Sequence, residues 1–411
     1  MDRKTAALWN LRYMAIYAVY WMVYCVLFAF TAVYLLGNGY TNRAIGIIMA
    51  VAYVAALILQ PVAADVADRT EKSKIKNMIC SLLILMGGAT AGLLVARKSG
   101  IFMALLYVAV LMLLMVVQPL LNSMAFIFEE YGMTLNFGVA RATGSLFYAI
   151  TSIVGGYAVD AYGVRILPWA VCVMIIPLLF LVFTFHIRIP REKVETAQTE
   201  AVPGKVPWQK KQIGLLAFVR KYKRFMLFLA GCTLMISAHN FINSFYIQIL
   251  TPLGGGSGEM GVAFFLGAIV EIPANALFTR IEKKISCAAL LIISSLAFVI
   301  KHGITLFAPS VAILMVAQPI QFFGYGLFTA ASVYYASRVV EAQDVVKGQA
   351  FVTGMLTLSS VVASIMGGTL IRGEETFPAL LVGEIMTVIG LLIVAFSVER
   401  NQNCRRVDSD S

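Results

Sequence analysis

The chain has 411 residues, of which 60% are hydrophobic and only 13% are charged. A water-soluble domain of this length needs far more polar surface to cover its core, so the composition excludes a soluble protein and indicates an integral membrane protein. The formal net charge is +11, and the distribution of the basic residues described below explains it better than nucleic-acid binding does.

Twelve apolar windows are long enough to cross a bilayer, whose hydrocarbon core of about 30 Å needs about 20 residues of helix. The longest polar stretch separates six windows from six. We therefore predict an all-α integral membrane fold with twelve transmembrane helices in two pseudo-symmetric six-helix bundles, residues 1–188 and 224–400. A linker, 189–223, joins them, and a tail, 401–411, follows. The windows, called spans one to twelve, begin near residues 11, 44, 77, 101, 139, 165, 224, 258, 285, 310, 347 and 376.

The basic residues of the connecting segments predict the orientation of the chain. With both termini inside, 25 Lys and Arg residues lie on the inner side. Because cytoplasmic loops carry the excess of basic residues, we expect a multi-pass protein of the cell membrane with both termini and the linker in the cytoplasm. The basic linker also suits contact with anionic lipid. Five basic residues lie outside: Arg43, Arg97, Lys98, Arg165 and Arg372.

Neither the cysteines nor the N-terminal segment carries a metal, disulfide or cleavage signal. The six cysteines show no CxxC or metal-ligand spacing, and in apolar runs a thiol behaves as a small hydrophobe. We expect no cofactor and no metal. Residues 1–12 include three basic residues and lead directly into a full-length apolar span, so we expect that span to remain in the mature protein.

Spans one and four each present polar or aromatic residues at helical spacing. Tyr20, Trp21 and Tyr24 of span one either stack on a sugar or aromatic substrate or pack in the core. Gln118 and Asn122 lie at i and i+4 on one face of span four. They are either substrate-binding groups or amides that pack helices together.

Arg141 lies a few residues into span five. A charged group inside a span costs at least a few kcal/mol, so it needs a reason. Two interpretations are open. The side chain either reaches back to the cytoplasmic headgroups, or its planar fork binds substrate hydroxyls or a carboxylate.

Spans seven to nine carry the other ionisable groups. His239 and Asn243, at i and i+4 of span seven, contact either substrate or a neighbouring helix. Glu271 lies about 13 residues, or about 20 Å, into span eight, near mid-membrane. Isolated there, its carboxyl favours the neutral form, as a proton carrier requires, or it is a structural group bonded between helices. Lys301 and His302 either pair with Glu271 or reach the interface.

Two nearly identical pentapeptides, Met-Val-Val-Gln-Pro at 115–119 and Met-Val-Ala-Gln-Pro at 315–319, occur in spans four and ten. Each proline frees a carbonyl one turn earlier and permits a bend, which suits a gate helix. Gln318 and Gln321 give span ten a polar face of neutral amides, which either bind substrate or pack helices.

The pentapeptide belongs to a wider internal repeat. Segments 69–72 and 138–144 return 211 and 210 residues later, and all the matches link span n to span n+6 in the same order. The chain is therefore expected to consist of two six-span halves in parallel orientation. The longest match places Tyr24, Phe30, Leu35, Gly39 and Gly46 215 residues before His239, Phe245, Leu250, Gly254 and Gly261.

Several of these motifs resemble the lactose permease branch of the major facilitator superfamily, which includes oligosaccharide and nucleoside proton symporters. Asp68 and Arg69, with Lys72 beyond them, resemble the gating-loop motif of the superfamily. The stretches that resemble the branch are Gly138-x-x-Arg141-x-x-Gly144-Ser145, residues 238–245, Val270-Glu-Ile-Pro273, Gly348-Gln-Ala350 and Gly367-Gly368.

This resemblance implies roles for particular residues. Arg141 stands where the branch has a sugar-binding arginine, and Tyr148 takes the place of an aromatic ring two turns later. The acidic partner of that arginine is missing, because Ser123 and Met124 stand there. Gln318 and Gln321 replace a histidine and a glutamate of proton coupling, which leaves that role to Glu271, with Lys301 beside it.

The favoured function is a secondary transporter, active as a monomer, that moves a saccharide or nucleoside with protons by alternating access in the lipid bilayer. One alternative is proton-coupled efflux of amphipathic compounds, and another is a non-transporting sensor or assembly factor. No nucleophile and base pair, metal cluster or phosphate loop is visible, so we expect no enzyme. The expected partners are a small solute and protons, not nucleic acid.

Overall fold

The computed structural model describes residues 3–69, 74–130, 135–185 and 214–399. Within these ranges the chain is helical, and twelve helices are long and apolar enough to cross a membrane. The membrane-spanning segment of each, the first from Ala7, begins within four residues of its predicted start, so the predicted spans are confirmed. The helices are Arg3–Tyr24, Asn42–Arg69, Ile75–Val95, Ile101–Glu130, Phe137–Tyr162, Ile166–Phe183, Lys223–Ser244, Ser257–Glu282, Cys287–Leu306, Val311–Ala317 with Tyr325–Val339, Val345–Leu370 and Phe377–Ser397.

Some predicted features lie outside this description. Lys72, most of the linker and the tail are not among the described residues, and the side chains of Asp68, Arg69, Glu129 and Glu130 are not described although their backbone is helical. The gating role of Asp68 and Arg69 therefore stays a prediction.

The two Gln-Pro repeats build different helices. Span four continues as one α-helix through Pro119, and the carbonyl of Met115, four residues earlier, accepts a hydrogen bond from Gln60 Nε2 of span two at 2.9 Å. In span ten the α-helix ends at Ala317, and Gln318–Phe322 forms a 3₁₀ segment. The proline thus interrupts span ten, whereas in span four the freed carbonyl finds a partner on a neighbouring span.

Packing groups the described residues into two compact units. The first unit contains the described residues up to 185, with Asn243–Ile269 and Ser364–Thr376. The second contains the described parts of Val206–Ile242, Val270–Ala363 and Phe377–Ser411. We call the side on which span one begins the near side and the opposite side the far side. The first unit therefore combines spans one to six with far-side parts of spans seven, eight and eleven.

The glycines of the internal repeat have matching structural roles in the first unit. Gly39 and Gly254 both adopt a left-handed backbone, with φ of 85° and 81°, which favours glycine. Gly46 packs on the backbone of span eleven, where an added Cβ would lie 2.7 Å from Gly368 Cα. Gly261 packs in the same way on span five, where an added Cβ would overlap the Ser152 carbonyl. The repeat therefore preserves two close helix crossings.

A carboxylate reinforces the crossing of spans five and eight. Asp160, at the far-side end of span five, accepts the backbone N–H groups of Ser257 at 3.1 Å and Gly258 at 2.7 Å. These groups open span eight, so the carboxylate caps a helix other than its own and also meets the positive end of that helix dipole.

Gly261→Leu is expected to separate spans five and eight at the far side. The added side chain meets backbone, which cannot move aside cheaply, and such overpacking costs about 1–3 kcal/mol. Ser257 is only 7% exposed, so a reporter cysteine at Ser257, in a background without the native cysteines, should be protected from a thiol dye and become labelled when Gly261→Leu is added. Gly88→Leu is the matched control, because an added Cβ there meets nothing within 4 Å. Continued protection of the reporter in Gly261→Leu would contradict the prediction.

In the second unit, the last part of the predicted linker forms a helix, Leu215–Lys221. Lys221 Nζ lies 2.8 Å from Glu341 Oε2 and 3.3 Å from Asp344 Oδ2, and Tyr222 donates its hydroxyl to Asp344 at 3.0 Å. The Glu341 carboxylate raises the pKa of the Lys221 ammonium above its usual value. The entrance to span seven is thereby attached to the connection between spans ten and eleven.

Candidate functional site

The 3₁₀ segment of span ten places both of its glutamines inside the second unit. A 3₁₀ helix has three residues per turn, so Gln318 and Gln321 share one face, as predicted. Both are buried, at 3% and 5% exposed. Gln318 Nε2 donates to the Leu314 carbonyl of its own helix at 3.2 Å, whereas Gln321 bonds to three other spans.

Gln321 is the centre of a polar cluster that is buried except for Glu271, which is partly exposed. Lys301 Nζ donates to Gln321 Oε1 at 2.5 Å, and Gln321 Nε2 donates to Glu271 Oε1 at 3.0 Å. Gln321 Nε2 also lies 3.2 Å from His239 Nε2. We call His239, Glu271, Lys301 and Gln321 the Glu271 cluster. It joins spans seven, eight, nine and ten.

The chemistry of the partners fixes the orientation of the amide. An ammonium has only donors and a carboxylate only acceptors, so the oxygen of Gln321 must face Lys301 and its NH₂ must face Glu271. The second N–H of that NH₂ points to His239 Nε2, which therefore accepts, so the neutral imidazole carries its proton on Nδ1. With Glu271 ionised the cluster is neutral.

The side chain of Lys301 is enclosed by protein, at only 2% exposed. The amide of Gln321 links it to Glu271, an indirect form of the predicted pairing. His302, also 2% exposed, has a different partner. Its Nδ1 lies 2.8 Å from Thr387 Oγ1 of span twelve.

Aromatic rings hold the imidazole of His239 in place. Its centroid lies 5.0 Å from that of Phe298, 5.2 Å from that of Tyr325 and 5.8 Å from that of His302. Gly326 allows span ten to approach span eight closely, since an added Cβ would lie 2.8 Å from Ala274 Cβ. The cluster therefore rests on packed rings and a close helix crossing.

Arg141 belongs to a different group of side chains, in the first unit. Its guanidinium carbon lies 4.1 Å from the centroid of the Trp21 ring, a cation–π contact. The Trp21 centroid lies 4.8 Å from that of Tyr24 and 6.2 Å from that of Tyr148. We call Trp21, Tyr24, Arg141 and Tyr148 the Arg141 cluster. The arginine thus contacts span one, and the ring of Tyr148 meets the same indole.

Span four contacts span one through tyrosine hydroxyls. Tyr17 donates to Asn122 Oδ1, and Tyr20 donates to the Leu114 carbonyl at 2.8 Å. Asn122 therefore has a partner within the protein, which favours the helix-packing interpretation for this residue. Gln118 lies one turn earlier and is partly buried, and so is Asn243 of span seven, which belongs to the first unit.

Sequence reasoning missed several contacts of these sites. Tyr13, Tyr17 and Tyr20 recur at i, i+4 and i+7 of span one, a spacing that places their hydroxyls on one face, and this signal was available. Trp21 was considered as a stacking surface for substrate but not as the partner of Arg141. Gln60 and Thr387 carried no signal beyond their polarity.

Comparisons with known proteins agree over most of the chain. Residues 8–382 match the MFS_1 like family. The "Probable 3-phenylpropionic acid transporter" of Escherichia coli (strain K12) is 25% identical over 350 residues, covering 81% of this chain and 83% of that protein. The "Maltose permease" of Geobacillus stearothermophilus is 24% identical over 401 residues, covering 92% and 93%.

The fold is similar to those of solved transporters. The nucleoside transporter NupG superposes with a TM-score of 0.76 at 13% identity, covering 95% of this chain and 98% of that one. A D-xylose-proton symporter superposes with a TM-score of 0.67 at 11% identity, covering 97% and 98%. At such low identity the likeness shows the fold alone.

Proposed function

The chain belongs to the MFS_1 like family and is a multi-pass transporter of the major facilitator superfamily, and we propose that it moves a small polar organic solute together with protons by alternating access. The predicted superfamily and fold are thereby confirmed. The solute class proposed is a saccharide or nucleoside. Support comes from relatives and structural neighbours named for maltose, nucleosides and D-xylose. Another relative is named for 3-phenylpropionic acid, which belongs to neither class.

The observation that carries proton coupling is the Glu271 cluster. A carboxylate and an ammonium are joined through one amide, 3.0 Å and 2.5 Å away, in a part of the protein where unpaired charge is costly. Glu271 can take up a proton, whereas the amide of Gln321 cannot. Protonation changes the cluster from neutral to a net charge of +1.

This change in charge links the proton to conformation. A lone ammonium is better solvated when its surroundings open to water than when they close around it. Loading Glu271 therefore favours opening of the second unit around Lys301, and release restores the closed, neutral cluster. Two states that solvate one carboxyl differently are the requirement for proton-driven alternating access.

The remaining assignments follow from this role. Arg141, Tyr148 and Tyr24 would contact the solute in the first unit, with Gln118, Asn122 and Asn243 as further polar contacts. In the second unit Gln318, Gln321 and His239 would do so, with Glu271 and Lys301 coupling the proton. Asp68 and Arg69 would serve as the near-side gating loop. We propose that the protein acts as a monomer in the cell membrane, needs no cofactor, binds no nucleic acid and catalyses no reaction.

A transport assay tests the proposed function. Purified protein in proteoliposomes should accumulate one of a panel of radiolabelled saccharides and nucleosides when the lumen is more alkaline than the bath, and a protonophore should abolish the accumulation. Equilibration without accumulation would point to facilitated diffusion. Absence of any protein-dependent uptake across the panel would reject the proposed solute class.

The proposed orientation has its own test. Lys205→Cys, in the linker, should react with a membrane-impermeant thiol reagent only from the cytoplasmic side. Gly255→Cys, in the loop before span eight, should react only from outside, because five basic residues outside against 25 inside place it there. Labelling of Lys205→Cys in intact cells would reverse the topology.

A further inference from the structure

The charged groups of the two clusters are balanced differently. In the second unit, Lys301 and Glu271 offset each other through Gln321. In the first unit, no described carboxylate forms an ion pair with Arg141, and Ser123 and Met124 occupy the upstream positions where the resemblance leads one to expect an acid. Within the described residues, the Arg141 cluster thus has a cation but no counterion.

The stacking of Arg141 leaves its N–H donors available, and no described residue accepts a hydrogen bond from them. Contact with the Trp21 ring at 4.1 Å occupies one face of the guanidinium, whereas its five N–H donors lie at the edges of the plane. The residue is exposed, so the described protein does not enclose those edges. A planar fork with free donors matches a carboxylate, which accepts two parallel hydrogen bonds from it.

A glycine fixes this arrangement. An added Cβ at Gly144, one turn after Arg141, would lie 2.9 Å from Trp21 Cγ. The indole therefore packs directly against the helix that carries the arginine and supports the guanidinium from one side. A preformed cation of this kind loses little side-chain entropy when it binds an anion.

Aromatic surface continues beside the guanidinium. Beyond Trp21, Tyr24 stacks on Phe28 with ring centroids 4.9 Å apart and an interplanar angle of 23°, and Tyr148 meets Trp21 edge to face. Such surfaces bind the flat or apolar face of a ring. The site offers one anion-binding fork next to a ring-binding surface.

We infer that the transported solute is a ring compound bearing a carboxylate, with the carboxylate on Arg141 and the ring against Tyr24 and Tyr148. This inference rests on the proposed transport of a small polar organic solute and replaces the neutral saccharide or nucleoside of that proposal by a carboxylate. Two classes of compound combine a ring with a carboxylate: sugar acids and aryl-alkyl carboxylates. A neutral saccharide or nucleoside would supply no anion to Arg141.

Matched ligand pairs test the inference on the purified full-length protein. Isothermal titration would compare glucuronate with methyl glucoside, and 3-phenylpropionate with 3-phenylpropanol. We expect the acid of one pair to bind at least about tenfold more tightly than its neutral partner, as charge-assisted hydrogen bonds predict. The pair that shows the difference identifies the source of the carboxylate.

Variants of Arg141 test whether the tighter binding of the acid depends on this arginine. Arg141→Gln should remove the preference for the acid, and Arg141→Lys should keep only part of it, because a charge remains while the fork is lost. Arg165→Gln, in the connection between spans five and six, is the matched control and should leave the preference unchanged.

Two results would overturn the inference. One is that neither acid binds more tightly than its neutral partner, including the case in which only neutral saccharides or nucleosides bind. That result would not contradict the proposed transport function. The other is an acid preference that survives in Arg141→Gln. If proteoliposomes take up no solute at all while the acid still binds through Arg141, the transport proposal fails and the anion site stands.

Discussion

Glu271→Gln is expected to abolish pH-driven accumulation of solute and to leave exchange of solute across the membrane intact. Glutamine has the shape of the protonated side chain and cannot release a proton. Its carbonyl oxygen can still accept the hydrogen bond that Gln321 Nε2 donates at 3.0 Å, so the cluster keeps its connection between spans eight and ten. Exchange requires the transporter to reorient with solute bound, but it requires no deprotonation.

Proteoliposomes separate these two activities. Accumulation is measured with an imposed pH difference, and exchange is measured with equal pH and solute on both sides. Glu259→Gln is the matched control, because this glutamate lies in the first turn of the same helix and bonds locally to Gly256 N at 2.8 Å. If Glu271→Gln still accumulates solute against a gradient, proton coupling must reside elsewhere, with Glu129 and Glu130 the next candidates, or transport is facilitated diffusion.

The spans were predictable because they depend on length and hydropathy, which a linear sequence displays directly. The repeat was also informative. Gly39 and Gly254 were matched by register alone, and both have a positive φ. Gly46 and Gly261 were matched in the same way, and both lie at close helix crossings. Matching glycines mark matching backbone constraints, since only glycine tolerates them without a shift.

The contacts within the sites were less predictable, because they join residues far apart in the chain. Gln321 meets His239 across 82 positions and Glu271 across 50. Periodicity shows which residues share the face of one helix, but it does not show which faces meet. Sequence therefore left Lys301 with two interpretations, and the hydrogen bond to Gln321 favours pairing with Glu271.

The stacking of Arg141 on Trp21 is a second contact between distant residues that the sequence did not predict. Both residues were singled out, one for charge and one for its ring, yet 120 positions separate them. Gly144 was known only as part of a motif. Its structural role is to let the Trp21 indole pack closely against span five, and this contact is visible only in the structure.

Lys301→Met is expected to destabilise the protein, and Glu271→Gln is expected to restore much of that loss when the two are combined. Methionine fills a similar volume without charge, so it leaves the Glu271 carboxylate without a cation and the Gln321 oxygen without the donor 2.5 Å away. Removing one member of a fully buried, direct ion pair costs about 3–5 kcal/mol. Glu271 is partly buried and is linked to Lys301 only through the Gln321 amide, so we expect a smaller loss. Replacing both members by neutral groups is often close to neutral.

The native cysteines provide the measurement. Cys25, Cys80, Cys232 and Cys287 are buried, so a thiol-reactive dye reports unfolding as the purified protein is heated in detergent. The midpoint should fall in Lys301→Met and recover in the double variant, while Lys284→Met, at an exposed position after span eight, should melt like the wild type. Recovery would show that the two charges stabilise each other through Gln321, which is the coupling that the proposed proton cycle requires. If the double variant melts no higher than Lys301→Met alone, the lysine serves packing instead, and protonation of Glu271 would have no buried cation through which to change the structure.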